Sequence, residues 1–312
     1  MSKIIALRLK NQLKNQLQII NTMDVLKQIA ISEYQFMDKG RQEASRFISV
    51  LEPFFHFYAR ASNIRQSIFF NNSCRIPALV VVGSDEGFLG LLNNQIIHQA
   101  AEFYRKHPDT HVVVIGRRAA RKLVDKGVTV HHELPGIAVP LNYSEVLPLK
   151  NYLMGQYLRQ RIGSAEVVYA RCLSFSRQTM RIKKLLPFDA LLNAGDMNLR
   201  VEEVEEKQYV IFEPDLVGII EFTISMWFGR KLYEIFWDAK LSEVAGRAIE
   251  LNERYEDLSR TRNKTRTRYF RACHEVIDEG IREIFASQHF ARKLKRVGAR
   301  HAVPASGHPR NL

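Results

Sequence analysis

The residues with the clearest chemical potential lie in a glycine-containing segment, Gly83–Gly90 (GSDEGFLG), directly after a short apolar run. A turn between a strand and a helix is where dinucleotide-binding proteins hold the phosphates of their ligand. The glycine spacing does not match G-x-G-x-x-G, and Asp85 and Glu86 put carboxylates where a phosphate needs the positive end of a helix. We therefore predict a tight strand-to-helix turn, formed by Asp85, Gly87 and Gly90, in which Asp85 caps the helix.

Other candidates for chemistry are few. The triplet His131-His132-Glu133 could suggest a metal site, but adjacent side chains of a strand point to opposite faces and cannot easily share one ion. The cysteines Cys74, Cys172 and Cys273 form no CxxC pair, which argues against a disulfide framework or a zinc site and favours a reducing, cytoplasmic location. No nucleophile or acid/base motif is recognisable. We predict no catalytic site, no cofactor and no bound metal.

Basic residues dominate a later segment, Ser259–Arg271 (SRTRNKTRTRYFR), in a chain whose formal net charge is +13 and whose sequence pI is about 9.7. Its central cations are Arg260, Arg262, Lys264, Arg266 and Arg268. On a helix the first, third and fifth align, the other two fall on a roughly opposite face, and like charges at this spacing repel. The pattern favours an external acidic partner over a solvated helix face. Nucleic acid is less favoured, because the cations encircle the helix and few aromatic residues accompany them.

Two long helices are predicted at the ends of the chain, and the second one carries the basic segment. The segment from Asp215 to Val303 lacks proline, and at 1.5 Å per residue it corresponds to a helix on the order of 100 Å long. Near the N-terminus a narrow apolar stripe with steps of three or four predicts a two-stranded coiled coil. Its members are Ile5, Leu9, Leu13, Leu17, Ile20, Met23, Leu26, Ala30, Tyr34 and Met37.

The middle of the chain alternates short apolar runs with helical segments, which indicates a mostly parallel, Rossmann-like α/β sheet. The predicted strands are 76–84, 110–116, 128–132, 166–173 and 180–185. We therefore expect an N-terminal coiled-coil helix at 1–56, an α/β domain at 75–195, a C-terminal coiled-coil helix at 208–290 and a basic, disordered tail at 291–312. The N-terminus does not have the pattern of a secretory signal, and no apolar run approaches the ~20 residues of a membrane span.

Five segments, in order along the chain, resemble the gamma subunit of the rotary F-type ATP synthase. Gly83–Asn93 is similar to S-x-D-x-G-L-C-G-x-x-N, and Val114–Lys122 to I-G-x-K/R-G. Leu185-Leu186-Pro187 matches the end of the family's α/β domain, and Phe212–Asp215 the Y-E-P-D start of its C-terminal helix. Arg262–Arg268 resembles Y-N-K-A-R-Q. Departures include Leu89 at the cysteine position, Thr267 at a common glutamine and a chain that continues past the usual end.

The resemblance implies a central-stalk rotor whose helices wind together inside a ring of alpha and beta subunits. Its α/β domain would contact the epsilon subunit and the membrane ring of c subunits. Catalysis would belong to the beta subunits, with the complex on the cytoplasmic face of the inner (plasma) membrane. Asn263, Lys264 and Arg266 match family positions that face the beta subunits, and the five cations listed above would meet acidic beta loops. The alternatives are a basic coiled-coil module that binds nucleic acid or an acidic protein, and an α/β enzyme with a pocket beside Ser84–Gly87.

Overall fold

The computed structural model describes residues 2–59, 69–70, 72–89, 91–188 and 216–300, with side chains described except at 42–59, 216 and 293–300. Within these ranges the chain divides into two units, one comprising Val25–Glu253 and the other Met1–Asp24 with Arg254–Leu312. No helix in the described part is long and apolar enough to span a bilayer. The predicted Phe212–Asp215 helix start lies outside the described residues.

Two helices, α1 (Ser2–Ala59) and α5 (Leu216–Arg300), flank a set of shorter elements. Helix α5 continues to Arg300, into the segment 291–312 that we expected to be disordered, because no proline follows its first residue until Pro304; the rest of that segment lies outside the described residues. The intervening elements are β1 (Pro77–Val82), α2 (Leu92–Lys106), β2 (His111–Ile115), α3 (Arg117–Val124), β3 (His132–Leu134), a 3-10 turn (Tyr143–Val146), α4 (Leu147–Leu158), β4 (Ser164–Ser174) and β5 (Arg177–Leu186).

The strands form one sheet in the order β3-β2-β1-β4-β5. All neighbouring pairs are parallel except β4 and β5, which are antiparallel. Strand β1 and the part of β2 that follows His111 are entirely apolar, because helices cover both faces of the sheet. This architecture confirms the predicted mostly parallel α/β domain with long terminal helices.

One face of the sheet packs against α2 and α3, through buried residues such as Ile97 and Leu123. The other face packs against α4 and against the first half of α5, which contributes Ile224, Phe228 and Leu232 to the core. The C-terminal helix is therefore part of the α/β domain's own hydrophobic core, whereas the sequence had suggested only a rod that follows it. Burying each of these large side chains contributes about 1.5–3 kcal/mol to folding.

Within the unit formed by Val25–Glu253, α1 and α5 pack in antiparallel orientation. Ala30 clusters with Val244 and Ala248, and Met37, further along α1, clusters with the earlier α5 residue Leu241. Gly40 gives room for the ring of Trp237, whose Nε1 donates a 3.0 Å hydrogen bond to the Met37 carbonyl. These contacts follow the knobs-into-holes spacing of a coiled coil.

The buried and partly buried residues of α1 that recur at a strict alternation of three- and four-residue steps are called its seam here. Three seam positions differ from the predicted stripe. Ile5, Leu17 and Leu26 are 47%, 39% and 38% exposed, so they lie beside the seam and not in it. The neighbouring residues Ala6, Gln16 and Lys27 are the ones partly or fully buried. Selecting the most apolar residue at each step misplaced the seam, because a two-helix coil tolerates polar and small residues where the backbone geometry requires them.

In the unit formed by Met1–Asp24 and Arg254–Leu312, the seam is polar at its centre. The Gln16 Nε2 donates to the Thr265 Oγ1 at 3.4 Å, and both residues are more than nine-tenths buried. Ile20 and Ala272 supply buried apolar contacts of the same seam. A buried polar pair in a coiled coil fixes the alignment of the helices at some cost in stability.

Candidate functional site

The turn after β1 is held by Asp85, but not as the predicted cap of the following helix. Its Oδ2 accepts a 2.8 Å hydrogen bond from the backbone N–H of Gly136, and its Oδ1 accepts one from the backbone N–H of Arg117. Arg117 is the first residue of α3, so Asp85 caps a helix from the neighbouring βα unit. Helix α2 begins after Leu91 and has no side-chain cap. The prediction of a local cap was wrong because the carboxylate reaches across the ends of adjacent strands.

Small residues bring these strand ends together. A Cβ on Gly83 would overlap the Cβ of Ala119, and a Cβ on Gly116, whose φ is +98°, would lie only 2.9 Å from the Ser84 backbone. Gly87 is less constrained, since a Cβ there would meet only the Arg118 Nη1, the far end of a flexible side chain, at 2.9 Å. Gly90, the third predicted residue of this turn, lies outside the described residues. Close backbone approach thus explains Gly83 and Gly116.

Helix α5 fills the crevice in which open α/β sheets usually bind ligands. That crevice lies at the carboxyl ends of the strands where the strand order reverses, here between β1 and β4. Ala239 and Glu243 of α5 line it together with Gly83 and Ser84, leaving a cavity of about 10 Å³. The Ser242 hydroxyl donates a 3.0 Å hydrogen bond to the Ala170 carbonyl of β4. The remaining space is about that of one water molecule, so a nucleotide does not fit.

Glu86, the second carboxylate of the turn, contacts cations of α5. Its Oε2 lies 2.5 Å from the Arg247 Nη2, and its Oε1 lies 3.8 Å from the Lys240 Nζ. Glu243 lies between the two cations, 2.8 Å from Lys240 and 2.6 Å from Arg247. Burial raises the pKa of the Glu243 carboxyl, and the ammonium and guanidinium groups oppose that rise. Glu33 of α1 completes this cluster at 3.6 Å from the Arg247 Nη1.

Sequence reasoning identified Glu86 only as an obstacle to phosphate binding. Its partners lie far along the chain, and no local motif links them to the turn. The available signal was the i, i+3 and i+7 spacing of Lys240, Glu243 and Arg247, which places three charges on the face of α5 that also carries its apolar residues. Charges on the buried face of a helix indicate that a partner of opposite charge lies opposite them.

The predicted partner-facing cations lie in the unit formed by Met1–Asp24 and Arg254–Leu312. Arg260, Asn263, Lys264, Arg266 and Arg268 are exposed there. Arg262 is only half exposed, because it occupies a seam position one step before the buried Thr265. The cations therefore do not encircle α5 fully as predicted, and α1 covers one side of it. The guanidinium of Arg266 lies 5.6 Å from the ring centre of Phe270, which is itself 48% exposed.

Most of the excess charge belongs to this unit. Residues 1–24 and 254–312 contain 18 of the chain's 46 lysines and arginines but only 7 of its 33 aspartates and glutamates. Their net formal charge is +11, against +13 for the whole chain. The long α/β-containing segment between them is nearly neutral. Attraction to an acidic partner is thus concentrated at the unit that carries the predicted contact residues.

The predicted histidine triplet is divided among different partners. His131 Nδ1 accepts a 3.1 Å hydrogen bond from the Val112 backbone N–H, whereas the His132 ring stacks on Tyr152 with ring centres 4.1 Å apart. The Tyr152 hydroxyl also lies 2.7 Å from the His111 Nε2. Burial is the main reason that the pKa of His111 is lowered. Across the described ranges no group of three or more His, Cys, Asp or Glu side chains is placed to hold a metal ion.

Comparisons with known proteins agree with this architecture. A family model described as ATP synthase matches residues 3–289. The ATP synthase gamma chain of Clostridium pasteurianum is 20% identical, covering 87% of this chain and 95% of its own, and that of Clostridium novyi is 22% identical over 85% and 92%.

Solved structures give the same fold at low sequence identity. A chain of the Euglena gracilis mitochondrial ATP synthase, solved with OSCP, F1 and the c-ring, aligns with a TM-score of 0.67 and 12% identity over 98% of this chain and 99% of its own. A Tetrahymena thermophila chain from a central stalk and c-ring structure gives 0.57 and 14% over 74% and 98%. Because the family model matches well over half of the residues, the chain belongs to the ATP synthase family, and within it resembles the gamma chains.

Proposed function

We propose that this chain is the gamma subunit of a rotary ATP synthase, the rotor that couples ion flow through the membrane sector to ATP synthesis or hydrolysis. The family match over residues 3–289 carries the proposal. It is supported by the antiparallel packing of α1 and α5, which gives the chain the element arrangement of a central stalk. The relatives favour this function over the alternative of a basic module that binds nucleic acid or an unrelated acidic protein.

In this role the chain is a non-catalytic subunit. The catalytic sites lie on the beta subunits, which surround the coiled coil together with the alpha subunits. As the rotor turns, each beta subunit meets a different surface of it, and the differing contacts favour different beta conformations. The filling of the α/β crevice by Ala239 and Glu243 supports a structural use of that domain in place of ligand binding.

The exposed residues Asn263, Lys264 and Arg266 form the contact with the beta subunits in this proposal, flanked by Arg260, Arg262 and Arg268. The same surface exposes apolar side chains, Phe270 at 48%, Ile277 at 56% and Ile281 at 46%. Arginine beside aromatic and aliphatic groups is the composition that protein interfaces favour. The charge of +11 on this unit attracts acidic loops of the ring.

The remaining assignments follow from the same role. Segments 1–56 and 208–290 form the coiled coil, 75–195 forms the α/β domain that contacts the epsilon subunit and the c-ring, and 291–312 is a basic C-terminal extension. The chain is a peripheral part of a membrane-associated complex, and we place it on the cytoplasmic face of the inner (plasma) membrane. Asp85, Gly87 and Gly90 act within the chain, as the turn that organises the α/β domain.

Co-expression with the alpha and beta chains of the same organism tests the proposal. The chain should purify with both in a complex that hydrolyses ATP. A double variant, Lys264→Ala with Arg266→Ala, should reduce ATP-driven ion pumping per ATP hydrolysed while changing the unfolding free energy of the free chain by less than about 1 kcal/mol, because exposed charges add little to stability. Arg105→Ala with Lys126→Ala, two exposed cations of the α/β domain, provides a matched control.

Two outcomes would contradict the proposal. The first is a chain that stays soluble and monomeric beside alpha and beta chains that assemble without it. The second is tight nucleic-acid binding that persists at moderate salt, since non-specific electrostatic attraction is lost there.

A further inference from the structure

One side chain of the α/β domain holds charged groups on the coiled-coil helix. Glu86 belongs to the turn after β1, and its carboxylate faces Arg247 at 2.5 Å and Lys240 at 3.8 Å, both on α5. Half of the Glu86 side chain remains in contact with water, at 53% exposure, whereas Lys240 and Arg247 retain only 3% and 11%. The cations are therefore almost entirely withdrawn from solvent, and their solvation is supplied by carboxylates.

The cluster joins three elements of the unit formed by Val25–Glu253. Glu33 comes from α1, Glu86 from the turn, and Lys240, Glu243 and Arg247 from α5. Glu243 contacts both cations, so its single negative charge is shared between two positive ones. With Glu33 the cluster holds three carboxylates against two cations, and Glu86 is the second carboxylate that contacts both cations. Neutralising Glu86 leaves Lys240 with Glu243 as its carboxylate partner in the cluster, and Glu243 must also serve Arg247, so the solvation of two nearly buried cations becomes less complete, which is unfavourable.

The position of the cluster gives it a mechanical role. In open α/β sheets the turn at the carboxyl end of β1 binds a ligand beside the point where strand order reverses. Here α5 itself occupies that place, and its cations Lys240 and Arg247 contact the Glu86 carboxylate of the turn. Besides disrupting apolar packing, moving α5 away from the turn would take a carboxylate partner from Lys240 and Arg247, which have little contact with water to replace it. The cluster therefore resists displacement of α5 along or around its axis.

We propose that Glu86 is a positioning residue that transmits torque between the α/β domain and the coiled coil, through Arg247 and Lys240. This inference rests on the proposed rotor function and adds to it. Glu86 fixes the rotational position of α5 against the sheet, so that rotation of the α/β domain is delivered to the helix without slippage.

The test uses Glu86→Gln in the assembled complex with alpha, beta and the membrane sector. Glutamine keeps the size of the side chain and removes its charge. We expect ATP hydrolysis close to wild type, with ion pumping per ATP hydrolysed lowered by about two- to threefold or more, as for residues that couple distant sites. Glu133→Gln, which neutralises an exposed glutamate of β3 in the same domain, is the matched control and should leave the pumping ratio unchanged.

A double-variant cycle assigns the effect to the proposed contact. Arg247→Gln should also lower the pumping ratio, and the double variant Glu86→Gln with Arg247→Gln should lower it no further than the more severe single change, because both act on one interaction. Independent, additive losses would overturn the assignment. So would an assembled Glu86→Gln complex that pumps with the wild-type ratio.

The remaining outcomes are also decisive. If Glu86→Gln fails to assemble while Glu86→Asp, which keeps the charge, assembles and pumps with the wild-type ratio, the charge is needed for folding and the torque role is overturned. If the wild-type chain itself does not assemble with alpha and beta chains, the proposed function fails first, which distinguishes that failure from failure of this inference.

Discussion

Asp85 shows how a residue identified from the sequence acquires a different role in the fold. The sequence placed a carboxylate in a turn that opens a helix, and a local cap was the simplest interpretation. The structure gives the carboxylate two backbone donors, Arg117 and Gly136, from two other chain segments. Parallel strands bring their carboxyl ends to one edge, so a side chain there is close to residues that are remote in sequence.

This geometry predicts a measurable loss of stability. Asp85→Ala removes the acceptor of the Arg117 and Gly136 N–H groups and should lower the free energy of unfolding by about 1–2 kcal/mol, because water can reach the exposed Arg117 N–H. Asp85→Asn, which keeps one acceptor oxygen, should lose less. Denaturant titration of the free chain measures both values. Asp109→Ala, an exposed aspartate in a turn of the same domain, is the control and should change stability by less than about 0.5 kcal/mol.

A partly buried lysine predicts a dependence of stability on pH. Burial, and then the nearby Lys231, lower the pKa of Lys183 from 10.5 to about 8. The unfolded chain keeps this proton between pH 8 and 10.5, whereas the folded chain releases it. The unfolded state then binds more protons, so stability rises with pH across that window.

The expected slope is below about 1.4 kcal/mol per pH unit, the value for one full proton, because Lys183 keeps partial contact with water. Unfolding free energies measured at intervals from about pH 7.5 to 9.5 check it. Burial is the main reason that the pKa values of Tyr34 and Tyr169 are raised to about 12. These tyrosines would add a pH dependence of their own near pH 10, where they titrate in the unfolded chain, so the measured range stops below it. Burial also raises the pKa of the Cys172 thiol above 9.0, which by itself lowers stability as pH rises through that region. Lys183→Met should therefore make the slope less positive than that of the wild-type chain, and an unchanged slope in that variant would contradict the assignment.

At the scale of elements, α1 illustrates what helical periodicity can and cannot specify. The alternation of three and four predicted a coiled coil, and the structure confirms that α1 and α5 pack together. The same alternation admits a neighbouring line of residues, and the sequence alone chose Leu17 where the seam contains Gln16. The choice depends on which side of α1 meets α5, and only the partner helix determines that.

Two substitutions of similar chemistry distinguish the predicted apolar stripe from the observed seam. Ile20, 6% exposed, lies in the seam, whereas Leu17, 39% exposed, lies beside it. Ile20→Ala should cost about 2–4 kcal/mol of the stability of its unit, and Leu17→Ala less than about 1 kcal/mol. Hydrogen exchange of the α1 amides reports local stability and can be read for each variant. Equal losses would show that the predicted stripe, and not the observed seam, faces α5.

Helix α5 combines two tasks that the sequence presented as separate. Its first half carries Ile224, Phe228 and Leu232 into the core of the α/β domain. Further along it presents Lys240, Glu243 and Arg247 to the turn after β1 and to α1. The long uninterrupted helical pattern indicated a rod. It gave no information on how much of that rod a sheet would cover, because buried helix faces look alike whether a helix or a sheet lies opposite.

For the whole molecule, the distribution of charge matters more than its sum. The segments 1–24 and 254–312 hold a net formal charge of +11. The α/β-containing segment is nearly neutral. An acidic ring of subunits would therefore attract one unit of the chain preferentially, which favours a defined orientation during assembly.

This distribution predicts a salt-dependent association rate. Raising the ionic strength from about 0.05 to 0.5 M shortens the Debye length severalfold and should slow association with the alpha and beta chains by about tenfold. Stopped-flow or surface-based kinetics measure the rate. The variant Lys264→Ala with Arg266→Ala should show a shallower dependence, and a rate that ignores salt would contradict electrostatic steering.

The sequence by itself predicted the two long helices and the alternation of strands and helices between them, although the predicted strand 128–132 overlaps β3 (His132–Leu134) at one residue. Apolar β-branched runs such as Leu79–Val82 are buried on both sides in any fold that contains them, and helical stripes require a partner. These are local properties, set by side-chain geometry within a few residues, and the ordered family motifs added the resemblance to gamma subunits.

Only the tertiary structure decided which groups meet. It placed Asp85 on α3, Glu86 on Lys240 and Arg247, and α5 in the crevice that a ligand would otherwise occupy. Contacts between residues far apart in the chain depend on the packing of whole elements, and many pairings of charges satisfy the same sequence. The burial that makes one pairing favourable exists only once the helices and the sheet have come together.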